Sequence, residues 1–151
     1  MTSLRIRVSA ICRKNDSLLL VEHEKEGLRY WLLPGGGMQA GETAGDAVVR
    51  ETLEETSLRT KSGRLVCICE SVSPDRSRHI VHFLYESTLV PVQEAPPGGS
   101  GSLDPRVRRH EFIPVSSLKK LTLYPPIQEW LIKGLSEGFL DAPEYLGALW
   151  V

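Results

Sequence analysis

Long apolar runs are absent from this chain of 151 residues. None approaches the roughly 18 apolar residues that a membrane-crossing helix needs, and MTSLRIRVSA at the start lacks a secretory core with a cleavage site. Cysteine is scarce and odd in number, at Cys12, Cys67 and Cys69. That count speaks against a disulfide framework and for a reducing compartment, so a cytoplasmic location is expected. No Cys/His set has zinc spacing. Cys67 and Cys69, two apart in an apolar run, read as small core residues on one face of a strand. Excess charge of one sign is missing as well. The formal net charge is -1, which gives no ground for stable nucleic-acid binding or for attraction to an anionic membrane. Internal repeats are absent too.

What is present is an ordinary globular composition, 41% hydrophobic and 25% charged, at a length that suits one domain spanning 1–151. LRIRVSAIC (4–12) and SLLLVEH (17–23) read as strands joined in a hairpin through Lys-Asn-Asp. LRYWLL (28–33) is a third, with Trp31 in the core. Thr43 to Thr56 reads as a helix, with Thr43 as N-cap and Asp46 completing a capping box. RLVCICESV (64–72) and HIVHFLYESTLV (79–90) are strands around the turn SPDRSR, and HEFIPV (110–115) is another. His23, His82 and His110 show no ligand spacing and read as ordinary strand residues. The segment 91–109, rich in Pro, Gly and Ser, reads as a long mobile loop or lid. SSLKKL and PPIQEWLIKGL (125–135) read as helices, the second starting on proline. The tail, 136–151, ends in APEYLGALWV, apolar enough to dock on the fold or on a second subunit of a homodimer. The order of elements predicts a mixed α/β domain.

Chemistry concentrates in LPGGGMQAGE and the helix after it. Glu51, Glu54 and Glu55 are spaced i, i+3 and i+4 and share one side of that helix, where like charges repel. Ala44, Ala47, Val48 and Leu58 fall on the same arc, while Val49 and Leu53 are apolar on the far side, so the pattern predicts packing on two sides. Partly buried carboxylates in a group need a countercharge, and all-oxygen ligands suit Mg2+ or Mn2+. Gly35, Gly36 and Gly37 precede the helix, where exposed amides can approach phosphate oxygens. No Gly-Lys-Ser/Thr follows, which excludes a P-loop. Glycine backbone next to acids that suit Mg2+ points to phosphate chemistry.

The stretch GGMQAGETAGDAVVRETLEETSL (36–58) resembles the Nudix box of the Nudix hydrolases. It carries the box's Gly36, Glu42, Arg50-Glu51, Glu54-Glu55 and Leu58 at the family's spacing, after a matching YWLLPGG. Ser57 stands where the family usually has glycine, and Thr52 where it prefers an aliphatic residue. A serine at 57 would take a left-handed conformation at modest strain. The resemblance implies the family's α/β/α sandwich with a mixed sheet and hydrolysis of a pyrophosphate bond. It implies that Glu51, Glu54, Glu55 and the Gly35 carbonyl hold the metal. Arg50 and Glu42 would form a salt bridge that orients the glycines and the helix.

The same resemblance leaves the general base open between a box glutamate and a later one. Glu111 is the later candidate, with a surface acid as its alternative, and Glu94 is a weaker one. Gly36, Gly37, Arg76 and Arg78, with His79 beside them, are candidates for substrate phosphate; for the charged side chains of the turn, simple solvation is the alternative. Pro74 stands beyond Leu58 at about the distance where ADP-ribose pyrophosphatases tend to carry a proline. The substrate expected is therefore a small nucleotide such as ADP-ribose or a nucleotide sugar. The alternatives are a nucleoside triphosphate pyrophosphatase that cleans the nucleotide pool and, from another class, a nucleotide-sensing module without catalysis. Modules of that kind commonly lose box acids, and all of them stand here.

Overall fold

β-branched and aromatic residues favour strands in the first third of the chain, and the backbone follows them. In the computed structural model, which describes residues 3–91 and 106–150, β1 (Ser3–Lys14) and β2 (Ser17–Lys25) meet in a hairpin. Only their tips pair, Arg13 opposite Leu18 and Lys14 opposite Ser17. β1 then diverges, and a longer partner takes over. β6 (Arg78–Leu89) runs parallel to it from Ser3–Arg78 to Cys12–Ser87. β3 (Leu28–Leu32) pairs antiparallel with β2, and β5 (Thr60–Val72) antiparallel with β6. β7 (Val107–Pro114) adds to the other side of β2. Parallel and antiparallel pairs thus coexist in one sheet, which makes the chain a mixed α/β fold.

Five elements differ from the sequence reading. The glycines form a short strand, β4 (Gly35–Gly37), antiparallel to β1. β7 starts at Val107 instead of 110, because Val107 still finds His23 across a bulge in β7. SSLKKL lies in a 3-10 helix, Val115–Lys120, and the last helix, α2 (Gln128–Glu137), starts after the two prolines instead of on them. The tail makes β8 (Glu144–Ala148), parallel to β5 at the sheet edge of its own chain. Of the segment 91–109, residues 92–105, Glu94 among them, lie outside the described residues.

Two apolar clusters clasp the sheet. The first helix, α1 (Ala44–Thr56), places Ala47 and Val48 on Val8 and Ala10 of β1. Ile11, one residue on, points to the opposite face and joins Cys67, Cys69 and Leu84 against Leu131 and Leu135 of α2. Cys12, Cys67 and Cys69 are all buried free thiols, and burial alone pushes Cys12 up to about 11. No helix is long and apolar enough to cross a membrane among the described residues.

Ser57 ends α1 in the left-handed region, at φ 60 and ψ 14, with its N–H donating to the Leu53 carbonyl at 2.8 Å. A residue with a Cβ sits there at a cost of roughly 1–2 kcal/mol, partly offset by the unfolded-state entropy that glycine would add. Ser57→Gly is expected to stabilise the fold by about 0.5–1 kcal/mol. Urea unfolding with an unchanged m-value checks it; a less stable variant would show that the serine hydroxyl contributes more than the strain removes.

Candidate active site

The helix that carries the acids begins at a complete capping box. Thr43 accepts from the Asp46 N–H at 3.1 Å, and the Asp46 carboxylate accepts from the Thr43 N–H at 3.3 Å. The cap fixes the rotation of α1, and its buried residues are Ala47, Val48, Thr52, Glu55 and Thr56. They form one continuous face. Val49 and Leu53 are only half-buried, so the expected packing on two sides reduces to this single face and its margins. Glu55 lies inside the face, while Glu51 and Glu54 lie on its edge. Thr52, at the aliphatic position, is completely buried, and its hydroxyl has no hydrogen-bond partner among the described residues.

β4 explains the glycines by close approach. It lies on β1 with Val8 opposite Gly36 and Ser9 opposite Gly35, and α1 presses on it from the other side. A Cβ on Gly35 would strike the Val8 carbonyl, and one on Gly36 would enter the Glu51 carboxylate. Alternate residues of an antiparallel strand turn their amides away from the partner. The Gly35 N–H accordingly donates to Glu55 Oε1 at 2.6 Å. The three glycines are therefore a strand wedged between sheet and helix.

Arg50 ties the acids together. Its Nη2 and Nε donate to Glu42 at 2.6 and 3.0 Å, its Nη1 to Glu51 at 2.9 Å, and its Nη2 also reaches the Gly37 carbonyl at 3.1 Å. Glu54 stands 3.4 Å from the same Nη1. Arg50 holds the Glu42 carboxyl down at about 2, with the Gln39 N–H adding to the effect. Burial pushes the Glu51 carboxyl above the ordinary range, against the pull of Arg50 and with a further push from Glu54 and Glu55. Among the described residues no cluster of three acidic, His or Cys side chains is closed up as a metal cage. The guanidinium is the countercharge instead.

These groups open on a cavity of about 770 Å³. Gly35–Gly37, Glu51, Glu54 and Glu55 form one wall, and Arg5, Arg7, Lys25, Arg29, Arg78 and Arg106 bring positive charge to the others. Arg78 thus lies where substrate could reach it. Arg76 does not line the cavity; it sits at φ 59 in a turn organised by Asp75, which accepts from Ser73 and Ser77. Strand register sets Glu111 apart from the box acids. It stands opposite Leu20, so it shares the face of Leu20, whereas His23 and Tyr30 project into the cavity from the other face. Its carboxylate pairs with Arg109 at 3.1 Å, and Arg109 also stacks over Trp31 at 5.2 Å.

Two groups escape a reading of the sequence alone. His23 is buried with Nε2 3.6 Å from Glu55 Oε2 and without a hydrogen-bond partner among the described residues. His82 bonds Ser71 at 3.0 Å in the cavity wall, and burial, helped by Arg7, lowers it to about 4. Single histidines on strands give no signal of such neighbours; only pairing of distant strands creates them.

The family model of the NUDIX domain matches residues 3–133. Human diphosphoinositol polyphosphate phosphohydrolase 3-alpha is 29% identical over 135 residues, covering 87% of this chain and 78% of its own. The ADP-ribose pyrophosphatase of Methanocaldococcus jannaschii is 28% identical over 117 residues, covering 77% and 65% respectively. A solved NUDIX hydrolase from Nitrosomonas europaea shares the fold at a TM-score of 0.76 with 21% identity, over 95% of this chain and 97% of its own.

The Glu42–Arg50 pair has a consequence in acid. A carboxyl whose folded value is depressed from 4.5 to about 2 stabilises the fold fully above the unfolded value and loses that contribution as pH falls through the folded one. Glu42→Gln is expected to be less stable than the parent above about pH 4.5, with the gap closing toward about pH 2. Thermal unfolding of both proteins across that window checks it. A gap that stays constant would show that the pair contributes no charge-dependent stability.

Proposed function

The chain belongs to the Nudix family and is a Nudix pyrophosphohydrolase, and we propose that it cleaves a nucleoside diphosphate linked to a second group, with ADP-ribose or a nucleotide sugar as the substrate. The observation that carries this reading is the shared cavity: three helix carboxylates and a glycine strand on one wall, arginines on the others. Its volume, about 770 Å³, falls within the range of pockets that enclose whole small ligands. The Pro74 position and the named activity of the archaeal relative support the choice of substrate.

The residues present fit a hard divalent cation, Mg2+ or Mn2+. All donors are oxygens, and Glu51 is an acid held in partial burial with too little countercharge. Glu51, Glu54, Glu55 and the Gly35 carbonyl would hold the ion. When bound, it supplies polarisation of the phosphoryl oxygens and a lower pKa for the attacking water. Arg50 would then keep its two bonds to Glu42 while yielding Glu51 and Glu54. Gly36, Gly37 and Arg78 meet the substrate phosphates. Glu54 is the favoured base, because Glu55 commits one oxygen to the Gly35 N–H and Glu111 faces the other side of the sheet.

A second reading also has an observation behind it. The cavity wall carries more cations than one diphosphate requires, and the human relative named above is a diphosphoinositol polyphosphate phosphohydrolase. Several phosphates on one ring would use that charge.

Two measurements test the assignment. Glu54→Gln and Glu55→Gln each remove a metal ligand worth several kcal/mol in the transition state, so kcat is expected to fall roughly a hundredfold or more with the fold intact. Near-normal turnover of both at saturating Mg2+ would remove the carboxylates from the mechanism. The substrate is decided by a competition panel of ADP-ribose, nucleotide sugars, canonical and oxidised triphosphates, and an inositol pyrophosphate. ADP-ribose or a nucleotide sugar is expected to show the highest kcat/KM, releasing a nucleoside monophosphate and a sugar phosphate. A tenfold preference for another class, about 1.4 kcal/mol in the transition state, overturns the choice.

A further inference from the structure

The family match ends at residue 133, yet the cavity does not. Leu149 and Trp150 line it, opposite in the chain to everything the Nudix box supplies. They reach it because the tail is fastened to the sheet edge. Glu144 pairs with Cys67, Tyr145 with Ile68 and Ala148 with Glu70, and the Leu149 N–H donates to the Glu70 carbonyl at 2.7 Å. Side chains add to the backbone ladder. Trp130 Nε1 donates to Glu144 at 3.3 Å, and the Tyr145 hydroxyl donates to Glu70, whose other oxygen stands 2.7 Å from His79 Nε2. Leu146 and Leu149 pack on the larger core. The backbone is thus fixed up to the residue before Trp150.

None of those hydrogen bonds uses the Trp150 side chain. The residue is 48% exposed and lines the cavity together with polar and cationic groups, among them Arg78, Ser71 and His82. An indole left half in water on a pinned segment offers a flat apolar face beside the cationic groups of the cavity. Such a face stacks with a planar aromatic ring, a contact tolerant of which base presents itself. A sugar or an inositol ring has no π face to match it.

We propose that Trp150, delivered by the docked tail, is the specificity-determining platform for the nucleobase of the substrate. The inference rests on the nucleotide reading above and makes the recognition of one half of that substrate a property of the tail. Trp150 would act on binding, through KM, while the box acids act on turnover.

The experiment compares the parent chain, Trp150→Ala and Trp150→Phe with two probes, ADP-ribose and inorganic pyrophosphate. Calorimetric Kd values for both are read beside KM and kcat for ADP-ribose hydrolysis. Stacking on one base is worth enough that Trp150→Ala is expected to weaken ADP-ribose roughly tenfold in Kd and KM, with kcat within about twofold. Trp150→Phe, which keeps a π face, should recover most of that loss, and pyrophosphate should bind all three proteins alike. ADP-ribose bound equally by Trp150→Ala and the parent overturns the platform while leaving the nucleotide reading intact. So does a parallel loss of pyrophosphate binding, which would make the tail a general wall of the site. Failure of the nucleotide reading shows separately, as a parent chain that hydrolyses no nucleoside diphosphate derivative.

Discussion

The site depends on one guanidinium. Arg50 projects from the middle of α1 and binds Glu42, Glu51 and the Gly37 carbonyl at once, with Glu54 at the edge of reach. Four carboxylates on one helix and its approach would otherwise repel each other and drive the helix off the glycine strand. A planar, permanently charged fork can serve several oxygens from fixed directions, which a lysine cannot. Because the same group touches helix, strand and connecting segment, it sets the position of all three together.

Contact between α1 and β4 follows from that clamp. Gly36 lets the Glu51 carboxylate lie directly on the strand, and Gly35 lets the strand lie directly on β1. Glu55 is thereby drawn into the buried face of the helix, where the Gly35 amide satisfies one oxygen. Burial of Glu51 and the absence of a closed cage have the same origin. The site holds more negative charge than one arginine neutralises, and the missing positive charge is what a divalent cation would bring.

The cavity is a product of divergence between strands. β1 pairs with β2 only at its tip and with β6 along its length, so the two parts of the sheet separate and leave space that β4 and α1 close on one side. The tail closes part of another side by extending the sheet beyond β5. Cations from β1, β2, β3 and β6 meet there although they are scattered along the sequence, which is why a chain of net charge -1 can present a basic pocket.

Local chemistry determined much of this from sequence alone. The capping box, the helical spacing of Glu51, Glu54 and Glu55, the left-handed Ser57, the strand alternation and the Nudix box all follow from residues within a few positions of each other, and each was legible for that reason. Long-range register decided the rest. Whether Glu111 faces the acids or the other side of the sheet turns on a single-residue choice of pairing with β2, since side chains alternate with a period of two. That β1 and α1 both press on the three glycines is visible only in the fold. His23 becomes a neighbour of Glu55, and Trp150 a wall of the cavity, only when strands far apart in the chain pair. Sequence specifies which elements form and which chemistry they carry; the pairing of distant strands decides which of those groups share a site.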